Sequence, residues 1–78
     1  MSAENLDLAA IARRIADNAP NGSLEQAAAG SVAVTCATTR TLAEARSVLA
    51  GVTPENVRRA ALELLDRLEA GERDDAAG

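Results

Sequence analysis

The 78-residue chain contains no phenylalanine, tryptophan or tyrosine, and 19 of its 37 hydrophobic residues are alanine. Aromatic side chains normally supply much of the buried area of a core, whereas alanine buries little. The remaining aliphatic candidates are 16 leucine, valine and isoleucine residues. A lone core of this size contributes only a few kcal/mol of net stability. Because the chain has no disulfide pair and no metal-ligand cluster, we expect its reinforcement to come from another chain.

Histidine and lysine are also absent, and Cys36 is the single cysteine. Histidine is the usual general base near neutral pH and the commonest zinc ligand. The lysine of a Walker-type phosphate loop is missing as well. A lone cysteine cannot form an intrachain disulfide, so we expect Cys36 to be a small buried hydrophobe. These absences predict a non-enzymatic chain without a metal site or a cofactor.

The net charge is −4, and all eight basic residues are arginine. A net acidic chain lacks the cationic surface that general binding to nucleic acids or anionic membranes requires. No apolar run approaches the roughly 18 residues of a membrane span, and the acidic N-terminal sequence lacks the pattern of a signal peptide. We therefore expect a cytoplasmic protein, and the lysine-free, alanine-rich usage is typical of a high-GC bacterial coding sequence.

A first helix is predicted over residues 6–18. Leu8, Ile11 and Ile15 recur at helical spacing on one face. Pro20, in the turn-forming run that follows, ends the helix because the residue before a proline is pushed out of the helical region.

The last helix is the most completely specified element of the sequence. Thr53 is predicted to be its N-cap, with Pro54 at the first helical position, where a missing N–H costs nothing. Val57 and Leu64 are expected to face the core of the chain. Gly71 supplies the C-terminal stop.

The chain is expected to form a single helical domain over residues 6–71. A frayed segment, 1–5, precedes it, and a disordered acidic tail, 72–78, follows it. Two capping boxes, at 23–26 and 41–44, predict the starts of two further helices. The sequence therefore predicts an all-α fold, a small bundle of three to four short helices.

Residues 31–40 are open to two interpretations, a helix or a short strand. Val32, Val34 and Cys36 alternate with small or polar residues, which is typical of a strand. A lone strand in so small a chain has to pair with a second copy. The same stretch also continues a helical face rich in alanine, serine and threonine, provided that Gly30 is tolerated at a cost of about 1 kcal/mol relative to alanine. We favour the helix, because an unpaired strand is harder to explain.

The stretch 41–60 reads TLAEARSVLAGVTPENVRRA, with Gly51 at a turn and polar residues opening the helix that follows. This pattern resembles the helix-turn-helix of small bacterial DNA-binding regulators. The resemblance implies a reading helix whose polar side chains face base edges or phosphates. The residues placed on that helix are Thr53, Asn56, Arg58 and Arg59.

A strand at 31–39, paired across a dimer, would give a strand-helix-helix order. That order resembles a ribbon-helix-helix repressor or antitoxin, a family that reads DNA from the exposed side chains of the strand. The corresponding residues here are Ser31, Ala33, Thr35 and Ala37. They carry no charge and little hydrogen-bonding capacity, which disfavours direct readout of bases.

Protein–protein contact is the preferred functional prediction. On the last helix Leu62 lies beside the main apolar stripe and widens it beyond what one neighbouring helix covers. Leu62, Leu65 and Leu68 are therefore predicted to form an interface. We expect a small interaction module that acts as a homodimer or bound to a partner protein, with a helix-turn-helix-like DNA-binding regulator or antitoxin as the alternative.

Overall fold

The computed structural model describes residues 3–71, and every regular element in that range is a helix. The elements are α1 (Ala3–Asn18), α2 (Leu24–Thr38), α3 (Leu42–Leu49) and α4 (Glu55–Glu69). The predicted all-α bundle of short helices is confirmed. The segment 31–40 is helical through Thr38, so the strand interpretation, and with it the ribbon-helix-helix order, is wrong.

α2 is the central helix of the bundle, because it packs against each of the other three. Its β-branched residues do not prevent a helix, since burial against neighbouring elements overrides a weak local preference. Leu8 and Ile11 of α1, Leu49 of α3, and Leu64 and Leu65 of α4 are all buried in the core. The residues that α2 buries are mostly small: Ala28, Ala29, Val32, Ala33, Thr35 and Cys36.

Both predicted capping boxes begin a helix. The Ser23 Oγ accepts a hydrogen bond from the backbone N–H of Gln26 at 3.1 Å, and the Thr41 Oγ1 accepts one from the backbone N–H of Glu44 at 3.0 Å. The side chains of Gln26 and Glu44 in turn each accept from the backbone N–H of the residue that precedes the cap. These bonds satisfy donors that a helix start otherwise leaves without partners.

α1 begins earlier than its apolar stripe predicts. Asn5 is fully buried, and its Nδ2 donates to the backbone oxygen and to the Oγ1 of Thr39, each at 3.1 Å. These bonds hold the first turn of α1 against the residue that follows α2. The prediction of a frayed segment is therefore wrong for residues 3–5. Residues 1–2 and the predicted tail 72–78 lie outside the described residues.

The start of α4 also differs from its prediction, since Pro54 rather than Thr53 is the N-cap. Pro54 has a ψ of 172°, which is extended rather than helical, so the helix begins at Glu55. The N-cap residue offers no side-chain cap; the carbonyl of Pro54 accepts from the backbone N–H groups of Val57 and Arg58, each at 3.1 Å. Gly71, with a φ of +93°, follows the C-terminal end as predicted.

Candidate interaction surfaces

The leucines predicted as an interface lie mostly inside the chain. Leu65 is fully buried, Leu68 is buried, and Leu62 is half-buried against the core. Leu65 and Leu68 are therefore core residues rather than surface residues in this fold. Of the two residues expected to face the core, Leu64 is buried and Val57 is half-buried outside the main cluster. Helical periodicity identifies an apolar stripe that must be buried, but it does not show whether the same chain or a partner buries it.

The four residues of the DNA-binding alternative lie around the first turn of α4. Thr53, Asn56 and Arg59 are exposed, and Arg58 is half-buried. Both guanidinium groups face the Glu55 carboxylate, with N–O distances of 3.9 Å for Arg58 and 3.2 Å for Arg59. This shared carboxylate offsets part of the positive charge that phosphate binding requires. The DNA-binding alternative stays a prediction.

The opposite end of α4 carries a second group of surface charges. Arg46 of α3 lies 2.6 Å from the Asp66 carboxylate and also pairs with Glu69. The hydrogen bond to Asp66, with a further contribution from Glu69, raises the pKa of the Arg46 guanidinium above its ordinary value. Exposed pairs of this kind contribute little stability. They mark this side of α4 as a solvated face joined to α3.

α2, in contrast, turns an uncharged face to the solvent. No residue between Glu25 and Arg40 carries a charge. Val34 is 66% exposed, the highest value for a large hydrophobic residue within 3–71. At helical spacing around it lie further small or uncharged side chains. We define the outer face of α2 as Ala27, Gly30, Ser31, Val34 and Thr38.

The outer face of α2 is shallow and largely apolar. It includes a depression of about 560 Å³ whose lining contains Gly30, Ser31 and Val34, with Val52 from the α3–α4 connection at its edge. The Thr38 hydroxyl donates to the backbone oxygen of Val34 at 2.9 Å. Because that donor is already satisfied within the helix, Thr38 can offer its methyl group to a neighbour without losing a hydrogen bond to water.

Gly30 has no evident role within the chain itself. Its backbone is helical, outside the positive-φ region, and a Cβ atom placed there would meet no atom within 4 Å. A glycine in a helix interior costs about 1 kcal/mol relative to alanine. A residue without a side chain on an open surface allows the backbone of another molecule to approach closely.

A second concave surface lies where α1, α2 and α4 meet, with a volume of about 370 Å³. Buried Ala28 and Leu64 lie at its base, while Leu24 remains 45% exposed beside them. Three charged side chains line its edge, and none of them forms an ion pair with another residue of 3–71. We call this surface the three-helix groove; it is lined by Ile15, Leu24, Glu25, Ala28, Ala60, Glu63, Leu64 and Arg67.

Cys36 is fully buried as a free thiol, as predicted. Burial raises the pKa of this thiol, and the Glu69 charge adds to the shift. Among residues 3–71 no three or more cysteine, aspartate or glutamate side chains are grouped so that they could hold a metal ion. Within the same range, every helix is too short or too polar to cross a membrane.

No protein-family profile, curated protein or solved structure matches this chain. Its function therefore has to be inferred from its own surfaces.

Proposed function

We propose that the protein is a small, non-enzymatic interaction module that forms a homodimer through the outer face of α2. The observation that carries the proposal is Val34, a large aliphatic side chain that is 66% exposed on a helix face without charges. An apolar surface that the chain leaves open marks an interaction site when it is contiguous. Gly30 beside it supports the same conclusion, since nothing in the chain itself requires a glycine there.

A second copy of the chain suits this face because of its charge. Each chain carries −4, so most pairs of surfaces would bring carboxylates together. Two copies that meet through α2 bury no charge at all, which avoids the large desolvation cost of an unpaired ion. The outer face is thus the part of the described surface on which self-association meets the least electrostatic opposition.

The arrangement of residues on the outer face is also self-complementary. A two-fold contact requires that each surface patch fit a copy of itself. An axis that passes between Ser31 and Val34 of two antiparallel α2 helices would set the Val34 side chain of each copy against the small Gly30 and Ser31 of the other. Large side chains that enter gaps left by small ones give the interdigitated packing of helix pairs.

A dimer would also add buried apolar area to a chain whose own core is small. Nineteen alanines and no aromatic residues leave little area to bury, and small domains of this kind commonly gain stability by association. A bacterial, cytoplasmic setting is part of the proposal and is consistent with a single cysteine held as a buried free thiol.

Charge reversal at Val34 tests the proposed dimer. We expect light scattering with refractive-index detection, which needs no aromatic residue, to give a dimer mass for the unchanged chain. Val34→Glu and Val34→Lys should each give a monomer mass, because each variant would bury two charges of the same sign near the two-fold axis without a partner of opposite sign. An equimolar mixture of the two variants should regain the dimer mass, since the charges on the two sides of the two-fold axis then have opposite signs and can pair.

Ala43→Glu is the matched control, because it adds the same charge at an exposed position of α3 outside the outer face of α2. This variant should keep the dimer mass. A monomer mass for the unchanged chain throughout the micromolar range, or a dimer mass for Val34→Glu alone, would exclude the proposal.

A further inference from the structure

We infer that the three-helix groove binds an amphipathic helix of a partner protein, with leucine-sized anchors flanked by lysine or arginine. The groove is formed by α1, α2 and α4 and shares no residue with the outer face of α2. Its role is therefore independent of the proposed homodimer, and each can fail without the other.

The base of the groove favours aliphatic side chains over a small polar molecule. Its apolar lining consists of buried Ala28 and Leu64, half-buried Ile15 and Ala60, and exposed Leu24. Small-molecule sites normally place a few buried polar groups that orient the ligand. The polar side chains at this groove are exposed and lie at its edge, so nothing at the base would orient such a ligand. A helix that inserts its apolar side chains needs no polar group at the base.

The charges at the edge favour a basic partner. Glu25 and Glu63 outnumber Arg67, and neither carboxylate forms an ion pair within residues 3–71. Other carboxylates of α4 differ in this respect, since Asp66 and Glu69 pair with Arg46. Complementary charges around an apolar contact set the choice and orientation of a partner.

A second copy of this chain is a poor occupant of the groove. The leucines of α4 that could serve as anchors, Leu64, Leu65 and Leu68, are buried in its own core. The net charge of −4 would also bring further carboxylates towards Glu25 and Glu63. A basic helix from a different protein satisfies both the apolar base and the acidic edge.

Two designed peptides of about 16 residues, or roughly four helical turns, test this inference. Both carry the same leucine face and one tryptophan; one has lysine flanks and the other has glutamate flanks. Because the protein contains no tryptophan, peptide fluorescence reports binding without background. We expect saturable binding of the basic peptide at least about ten-fold tighter than that of the acidic peptide. Leu24→Gln should weaken the binding of the basic peptide.

Charge reversal identifies the site. Glu25→Lys combined with Glu63→Lys should reverse the preference, so that the acidic peptide binds more tightly. Glu4→Lys combined with Asp7→Lys is the control, because it makes the same change in net charge near the start of α1. The control should keep the preference for the basic peptide, and so should the Val34→Glu variant.

Three outcomes would overturn the inference. The first is equal affinity for both peptides. The second is a preference for the basic peptide that survives reversal of Glu25 and Glu63. The third is a preference that the Glu4 and Asp7 control abolishes to the same extent, because net charge rather than the groove would then explain the binding.

Discussion

α4 and α2 are both 15-residue helices, but they differ in how their charged and apolar residues are distributed. α4 places leucines on one side and alternating acidic and basic residues on the other, and its own chain buries the leucine stripe. α2 has uncharged residues on nearly its whole surface, and its own chain covers only part of it. A helix that is apolar all round is normally buried on every side. α4 thus buries most of its apolar stripe within the single chain, whereas α2 leaves Val34 and its uncharged neighbours exposed.

The largest effect is expected from a change in the buried leucine stripe of α4. Leu65→Ala removes a fully buried side chain and leaves a cavity, which typically costs about 2–5 kcal/mol. We expect this to consume most of the free energy of unfolding of so small a domain. Urea denaturation followed by far-UV circular dichroism measures the loss. Leu62→Ala, on the same helix but half-buried, should cost distinctly less; equal losses would contradict the assignment of Leu65 to the core.

The next effect concerns the polar end of α2. Asn5→Ala deletes the amide that donates to both oxygens of Thr39, and buried acceptors left without a donor cost about 1–3 kcal/mol. We expect a lower midpoint of thermal unfolding and faster amide hydrogen exchange in the first turn of α1. Asp7→Ala, a substitution at an exposed position two residues further along α1, should leave both quantities nearly unchanged.

A smaller effect, a gain in the free energy of unfolding, is expected from a substitution in α2. Gly30→Ala should raise the free energy of unfolding of the monomeric Val34→Glu variant by about 0.5–1 kcal/mol, since alanine favours helix and the site has room for its Cβ. In the dimer-forming background the gain should shrink or disappear, because the added methyl group enters the close contact. An equal gain in both backgrounds would indicate that nothing approaches Gly30.

The smallest effect concerns the charges at the start of α4. Arg58→Ala combined with Arg59→Ala should change the free energy of unfolding by about 1 kcal/mol or less, because exposed ion pairs such as those with Glu55 contribute little. The same variant tests the DNA-binding alternative. That alternative requires salt-dependent binding of duplex DNA by the unchanged chain and its loss in the variant. No mobility shift of genomic fragments at low salt would exclude it.

Local chemistry made most of the fold predictable. The capping residues Ser23 and Thr41 and the terminal Gly71 act within a few positions of themselves, so their roles follow from the adjacent sequence. The start of α1 could not be predicted from adjacent residues, because the hydrogen-bond partner of Asn5 is 34 residues away. The start of α4 differed because proline fits both the N-cap and the first helical position, and its ψ decides between them.

The candidate surfaces were less predictable, for a different reason. Periodicity singled out Leu65 and Leu68 as residues that need cover, but only the packing of α4 on α2 shows that the chain itself provides it. The outer face of α2 shows no periodic alternation of apolar and charged residues, because the buried and the exposed sides of this helix are both uncharged between Glu25 and Arg40. The sequence analysis treated Gly30 only as a cost of about 1 kcal/mol to a helix, and the open space around it became visible only in the structure. The three-helix groove joins residues far apart in the sequence, and no motif marks it.

The contact between Asn5 and Thr39 has a consequence for how the protein is made. The amide that holds the first turn of α1 has both of these acceptors on a residue that the ribosome adds 34 positions later. A nascent chain that ends before Thr39 therefore lacks both of these acceptors. These two bonds can therefore form only after α2 has been synthesised, and they then join the first turn of α1 to the C-terminal end of the central helix.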